Sequence, residues 1–189
     1  TVFPEYTSEA PTILDTPALV QEEPYVETFP AAESKSVEDM ILWSEGNNNS
    51  NRVYDDNGIP LPYGFKSIEE YNIFVNKLKS GLPDGSQVIF QGSSVTGLGH
   101  SSGLPFDVGR TSDFDIAIVS EDLYILALEN NFREKTQPNR IGPMNERQLS
   151  LLGLDILAES LSEISGREVH FMLFESTSEA YKRPSLPAY

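Results

Sequence analysis

The chain has 189 residues, with 29 acidic and 13 basic side chains, a net charge of −16, 39% hydrophobic residues and no cysteine. That length suits one domain plus a tail. The missing cysteine excludes thiol catalysis, disulfides and Cys-based zinc sites, and the acid excess argues against a broad nucleic-acid-binding face.

In chain order, residues 1–35 read as an acidic linker or tail. Pro4, Pro11, Pro17, Pro24 and Pro30 break helix and central strand there. Residues 1–39 hold nine acids and a single Lys, half of the net charge. The sequence opens without Met, a basic n-region or an apolar h-region, so it reads as a piece of a longer chain rather than as a signal peptide. No apolar run reaches the roughly 18 residues of a membrane span.

Residues 36–176 are expected to form the domain. Ser36 caps a short helix that includes Met40, Ile41, Leu42 and Trp43, and residues 45–64 read as a polar loop. Ser67-Ile68-Glu69-Glu70 has the capping-box pattern. It opens an amphipathic helix with Ile68, Tyr71, Phe74, Val75 and Leu78 on one face. Gly81 to Gly85 turn the chain into a strand over Gln87–Gln91. A second strand follows at 113–119 and a helix at 121–131. Residues 145–164 read as one long helix, with Leu149, Leu152, Ile156, Leu157, Leu161 and Ile164 facing inward and Gly166 as C-cap. Residues 168–174 form a third strand, and residues 177–189, with Pro184 and Pro187, read as a tail. This order implies an α/β (α+β) fold, a small mixed sheet flanked by helices.

The chemistry concentrates between Val88 and Val119. A β-branched run empties into Gly92-Ser93, a turn whose backbone N–H groups and hydroxyl suit a phosphate. Further on come Asp113 and Asp115. Alternate strand residues share a face, so these carboxylates project side by side and repel unless a cation lies between them. Mg²⁺ takes oxygen ligands of this kind. A phosphate cradle beside a two-Asp metal site is the equipment of phosphoryl or nucleotidyl transfer.

Gly92-Ser93 followed by Ser112-Asp113-Phe114-Asp115 resembles the signature of the DNA polymerase β-like nucleotidyltransferase superfamily. Gln91–Gly97, Gly103–Arg110, Arg140-Ile141-Gly142-Pro143 and Gly166–Met172 are similar to nucleotidyltransferase-like domains at the C-termini of bacterial polymorphic toxins. The resemblance covers roughly residues 85 to 175. It implies a nucleotidyltransferase-like fold, with Asp113 and Asp115 holding the two cations, Mg²⁺ or Mn²⁺, that bridge a nucleoside triphosphate and activate an attacking hydroxyl. It also implies Gly92, Ser93 and Ser94 at the phosphates.

The superfamily places a third acid on a later strand. Here the slot falls on His170 in Glu168-Val169-His170-Phe171, while Glu168 shares its strand face. His170 is the expected third ligand and Glu168 the alternative carboxylate. Losing one negative charge favours a softer cation such as Mn²⁺. Arg110 and Arg140 are the bases expected near phosphate. His100 reads as a residue of the Leu98–Gly109 insert.

The expected function is metal-dependent transfer of a nucleoside monophosphate from an NTP to a hydroxyl of RNA, such as a tRNA end, or of a protein. The resemblance places it in a toxin, secreted or delivered as part of a larger chain, acting in a target-cell cytoplasm and met by an immunity protein. The alternatives are a catalytically weak module that binds nucleotide or a partner protein, and a nucleotide second-messenger synthase.

Overall fold

A computed structural model of the protein describes residues 52–132 and 139–189. The expected acidic tail at 1–35 and the expected short helix after Ser36 lie outside those residues. The described elements are α1 (Ile68–Ser80), β1 (Gln87–Gln91), α2 (Ser93–Thr96), β2 (Phe114–Val119), α3 (Glu121–Glu129), β3 (Arg140–Ile141), α4 (Glu146–Leu151), α5 (Asp155–Ser165), β4 (Val169–Phe174), α6 (Thr177–Ala180) and β5 (Leu186–Pro187). The strands form one five-stranded mixed sheet in the order β3-β4-β2-β1-β5. β2 and β4 run parallel, while β1 is antiparallel to both β2 and β5, and β3 is antiparallel to β4. The fold is therefore of the α/β class expected.

The sheet buries both faces, unequally. Val88, Phe90, Phe114, Ile116, Ile118, Val169, Phe171 and Leu173 point into the main core, which α1 and α5 complete. The intervening residues Ile89, Ala117, Met172 and Phe174 form a smaller cluster with Ala180 of α6. By the period of two, Gln91, Asp115 and His170 belong to that second face. They lie at the end of the sheet where β1 finishes and β2 and β4 begin.

An aromatic knot stiffens the floor under them. Phe65 stacks on Phe114 with ring centroids 4.9 Å apart and meets Phe74 and Phe90 edge-on. Such pairs add about 0.5–1.5 kcal/mol each beyond area burial. Leu61 and Tyr63 are buried, as is Phe65 after them, so the described part of the expected polar loop contributes to the core.

Three local expectations are corrected. Ser67 caps α1 by accepting from the Glu70 N–H, but the Glu70 carboxylate reaches back to the N–H of Lys66 at 2.9 Å, one residue before the cap. The reciprocal capping box is found instead at α4, between Asn145 and Gln148. The single helix expected over 145–164 is two. Gly153 takes a left-handed φ of 68°, and the N–H groups of Gly153 and Leu154 close back on Ser150 and Leu149. That is a Schellman ending, which glycine permits without a Cβ penalty. The break leaves Ile156 75% exposed, although Leu157 and Leu161 are buried as expected. Finally, residues 177–189 are built into the sheet: β5 pairs with β1, and Leu186 is buried. Gly166 ends α5 in the left-handed conformation, as expected.

Candidate metal centre

Asp113 stands just before β2, Asp115 is its second residue, and His170 is the second residue of β4. The parallel register sets Asp115 directly opposite His170. Asp113 is carried close by the bond from the Phe114 N–H to the Glu168 carbonyl, 2.8 Å, which extends the pairing one step beyond the strands. Ligand atoms of Asp113, Asp115 and His170 all lie within 4.8 Å of one another. His170 Nδ1 is 3.3 Å from Asp113 Oδ2 and 3.9 Å from Asp115 Oδ1. All three side chains are partly exposed, so a cation has a way in.

Electrostatics match that arrangement. Burial pushes the Asp115 carboxyl above the usual carboxylate range, and the charge of Asp113 pushes it further. His170, Arg140 and Arg183 pull it back in part. A cation between the carboxylates relieves the same repulsion.

Gly92 forms the wall behind Asp115. Its φ is 67°, and a Cβ there would collide with the Asp115 carboxylate. Only glycine combines that backbone with that approach. Ser93, half-buried, opens α2 right after it. As a first helical residue it has no intrahelical acceptor for its N–H. Ser94 is different. It is fully buried, and its hydroxyl donates to the Gln91 carbonyl at 2.9 Å. The hydroxyl of Ser94, a residue of the expected phosphate turn, thus holds the β1–α2 turn.

Glu168 is at the margin. Its side chain is 83% exposed, with Oε2 3.5 Å from His170 Nε2, on the side of the imidazole away from the carboxylates. Arg110 is exposed too, with Nη2 3.4 Å from Asp113 Oδ1. Arg110, Glu168 and Asp113 line an open depression with Thr111, Gly166 and Arg167. Arg140 sits on β3 with Nη2 2.8 Å from the sulfur of Met172. His100 is exposed in the insert and is not one of the three clustered ligands.

Several residues that matter here were not singled out by sequence reasoning. Arg167 grips Asp107 with two nitrogens, at 3.0 and 3.2 Å, donates to the Ser112 carbonyl at 2.7 Å and lies over the rings of Phe106 and Phe114. Asp107 in turn accepts from the Ser112 N–H. This staple fixes the end of the insert immediately before Asp113. Gln91 bonds the Ala180 carbonyl at 2.6 Å and so draws the segment after α6 to the site face. Arg183 belongs to that segment. A lone Asp in a glycine-rich insert and a Lys-Arg-Pro triplet in a presumed tail give no periodic signal, so only the fold reveals them.

No protein-family model, no curated protein and no solved structure matches this chain.

Proposed function

We propose that this protein is a metal-dependent nucleotidyltransferase. The observation that carries the reading is the meeting of Asp113, Asp115 and His170 within 4.8 Å, on a sheet end walled by the Gly92-Ser93 turn. A divalent cation held by these three side chains would neutralise phosphate oxygens of a bound nucleoside triphosphate. Gly92 keeps the backbone clear for close approach, and Ser93 offers a hydroxyl and an N–H to phosphate. In the reaction, the acceptor oxygen bonds to the α-phosphorus. The bond from that phosphorus to the bridging oxygen breaks, pyrophosphate leaves with the electron pair, and the hydroxyl proton passes to a carboxylate of the pair. The likeness of the sequence to toxin-borne domains makes RNA ends and protein side chains the first acceptors to test.

A second reading follows from His170. With imidazole where the superfamily has a third carboxylate, the centre carries one negative charge fewer, which favours nucleotide binding without fast turnover. The experiment that separates the two is incubation of purified protein and cell lysate with labelled NTPs and Mg²⁺ or Mn²⁺. Label that becomes RNase- or protease-sensitive supports transfer and names the acceptor class. Label that stays in small molecules as a new product points to a second-messenger synthase. Nucleotide bound in calorimetry but returned unchanged supports the binding module.

A further inference from the structure

Two arginines come to the second face of the sheet, Arg140 on β3 and Arg183 in the segment that Gln91 holds there. Arg140 pairs in register with Phe174, and its side chain runs back along the sheet to the sulfur of Met172. Met172 is two residues from His170 on the same face, about 6–7 Å along the strand. A thioether is a weak acceptor. Arg140 Nε is buried with no acceptor among the described residues. Burying an N–H without an acceptor costs free energy.

Arg183 arrives from the other direction. Gln91 is the register partner of Asp115, on the strand next to it. Its amide nitrogen donates to the carbonyl of Ala180, and it lies 3.4 Å from the hydroxyl of Ser185. Ser185 itself donates to the Arg183 carbonyl at 2.8 Å. Residues 180–185 are therefore pinned over the strand that neighbours Asp115, with Arg183 inside the pinned loop. The charge of Arg183 is felt at Arg140. Two like charges gathered at one place are stabilised by an anion, and arginine binds phosphate through two nitrogens at once.

We propose that Arg140 and Arg183 form a clamp for the terminal phosphates of a nucleoside polyphosphate whose other phosphate oxygens meet the cation of the Asp113–Asp115–His170 centre. The proposal rests on reading that centre as a cation site. It makes the C-terminal segment part of the site, because α6, Ser185 and β5 hold Arg183 in place. A polynucleotide backbone offers phosphate too, but following it takes a broad basic face, against which a net charge of −16 argues. A short nucleotide brings its own cation.

The test uses the full chain and four single variants, Arg140→Ala, Arg140→Lys, Arg183→Ala and Arg183→Lys. Mn²⁺ alone, tripolyphosphate alone, ATP with Mn²⁺, and a short RNA are each titrated. Each Ala variant is expected to weaken ATP and tripolyphosphate binding about 10–100-fold, as loss of a charge-assisted hydrogen bond does. Mn²⁺ binding without nucleotide should hold or tighten, since a positive charge near Asp115 is gone. A merely structural arginine would weaken both together. The Lys variants should retain part of the affinity.

Unchanged ATP and tripolyphosphate affinity in both Ala variants overturns the clamp. So does loss of RNA binding alone, which would assign the arginines to a polynucleotide. If wild-type protein binds no Mn²⁺, the cation reading fails by itself. The clamp is then judged on tripolyphosphate alone, which needs no metal: an arginine-dependent affinity keeps it, and no affinity ends it.

Discussion

Asp115 and His170 are register partners across the parallel pair of β2 and β4, with Asp115 Oδ1 and His170 Nδ1 3.9 Å apart on the less-covered face of the sheet. Glu168, two residues earlier on the same face, presents an exposed carboxylate to the far nitrogen of the ring. His170→Ala should therefore weaken Mn²⁺ binding and turnover at least about tenfold, and Glu168→Ala by much less, because an exposed pair contributes little. His170→Asp should keep activity and shift the preference from Mn²⁺ towards Mg²⁺ by restoring an oxygen ligand. Kinetics of the three variants across both metals test this. An inactive Glu168→Ala beside an active His170→Ala would reverse the assignment.

The carboxylate pair is held against its own repulsion. Burial and Asp113 both raise the Asp115 carboxyl. Without divalent cation, Asp113→Asn should melt at or above the wild-type temperature, while losing about tenfold or more in Mn²⁺ affinity. Melting curves with and without Mn²⁺ check both halves. A clear loss of stability in the metal-free variant would mean that the acids serve packing rather than a ligand.

Gly92→Ala should damage the centre more than the fold. Its φ of 67° and ψ of −148° lie in a region essentially restricted to glycine, which costs an alanine on the order of 1–3 kcal/mol. The added methyl meets the Asp115 carboxylate, the movable end of a side chain, which would swing out of place. Metal affinity should fall sharply in a protein that still melts cooperatively. Normal Mn²⁺ binding by Gly92→Ala would show that the carboxylate need not stand against this wall.

The two serines after Gly92 should part company. Ser94→Ala strips the Gln91 carbonyl of its 2.9 Å hydrogen bond in a fully buried place and should cost about 1–3 kcal/mol of stability. Nucleotide affinity should be little changed. Ser93→Ala should do the opposite, lowering triphosphate affinity with little effect on melting. Equal behaviour of the two variants would remove Ser93 from the phosphate site.

Period-two alternation made β1, β2 and β4 legible, and with them the shared face of Asp113 and Asp115 and that of Glu168 and His170; the parallel register of β2 and β4 is what brings the two together. β3 and β5 are two residues each, too short to carry a period, and exist because β4 and β1 offer them open edges. The long helix expected over 145–164 kept its apolar spacing on both sides of Gly153, so the pattern hid a break that one left-handed residue imposes. Ser93 and Ser94 look alike in sequence, and only the fold shows the Ser94 hydroxyl bound to the Gln91 carbonyl. The first turn of α2 points only one of them inward. Arg167 and Asp107 stand 60 residues apart, and no local pattern links such a pair.

That pair sets the last prediction. Burial alone would push the Asp107 carboxyl up, but hydrogen bonds from Arg167 and Ser112 outweigh it and hold the carboxyl below its usual range. A carboxyl depressed in the folded state contributes stability that is present above its unfolded value, about 3.9, and is lost as pH falls through the folded value. Arg167→Ala should cost about 1.5–3 kcal/mol at neutral pH, chiefly through the lost charge-assisted bond to the Ser112 carbonyl, because Asp107 keeps 41% side-chain exposure and water screens the ion pair. Asp107→Asn isolates the ionic part. Its stability deficit should be full at pH 7 and should shrink as pH falls from the unfolded value of about 3.9 towards the depressed folded one. Parallel stability curves for wild type and Asp107→Asn from pH 7 to pH 3 would refute the ionic staple. With the staple broken, the insert loses its tie immediately before Asp113, so Mn²⁺ affinity should fall in Arg167→Ala even at temperatures well below its melt. Retained affinity there would confine Arg167 to stability alone.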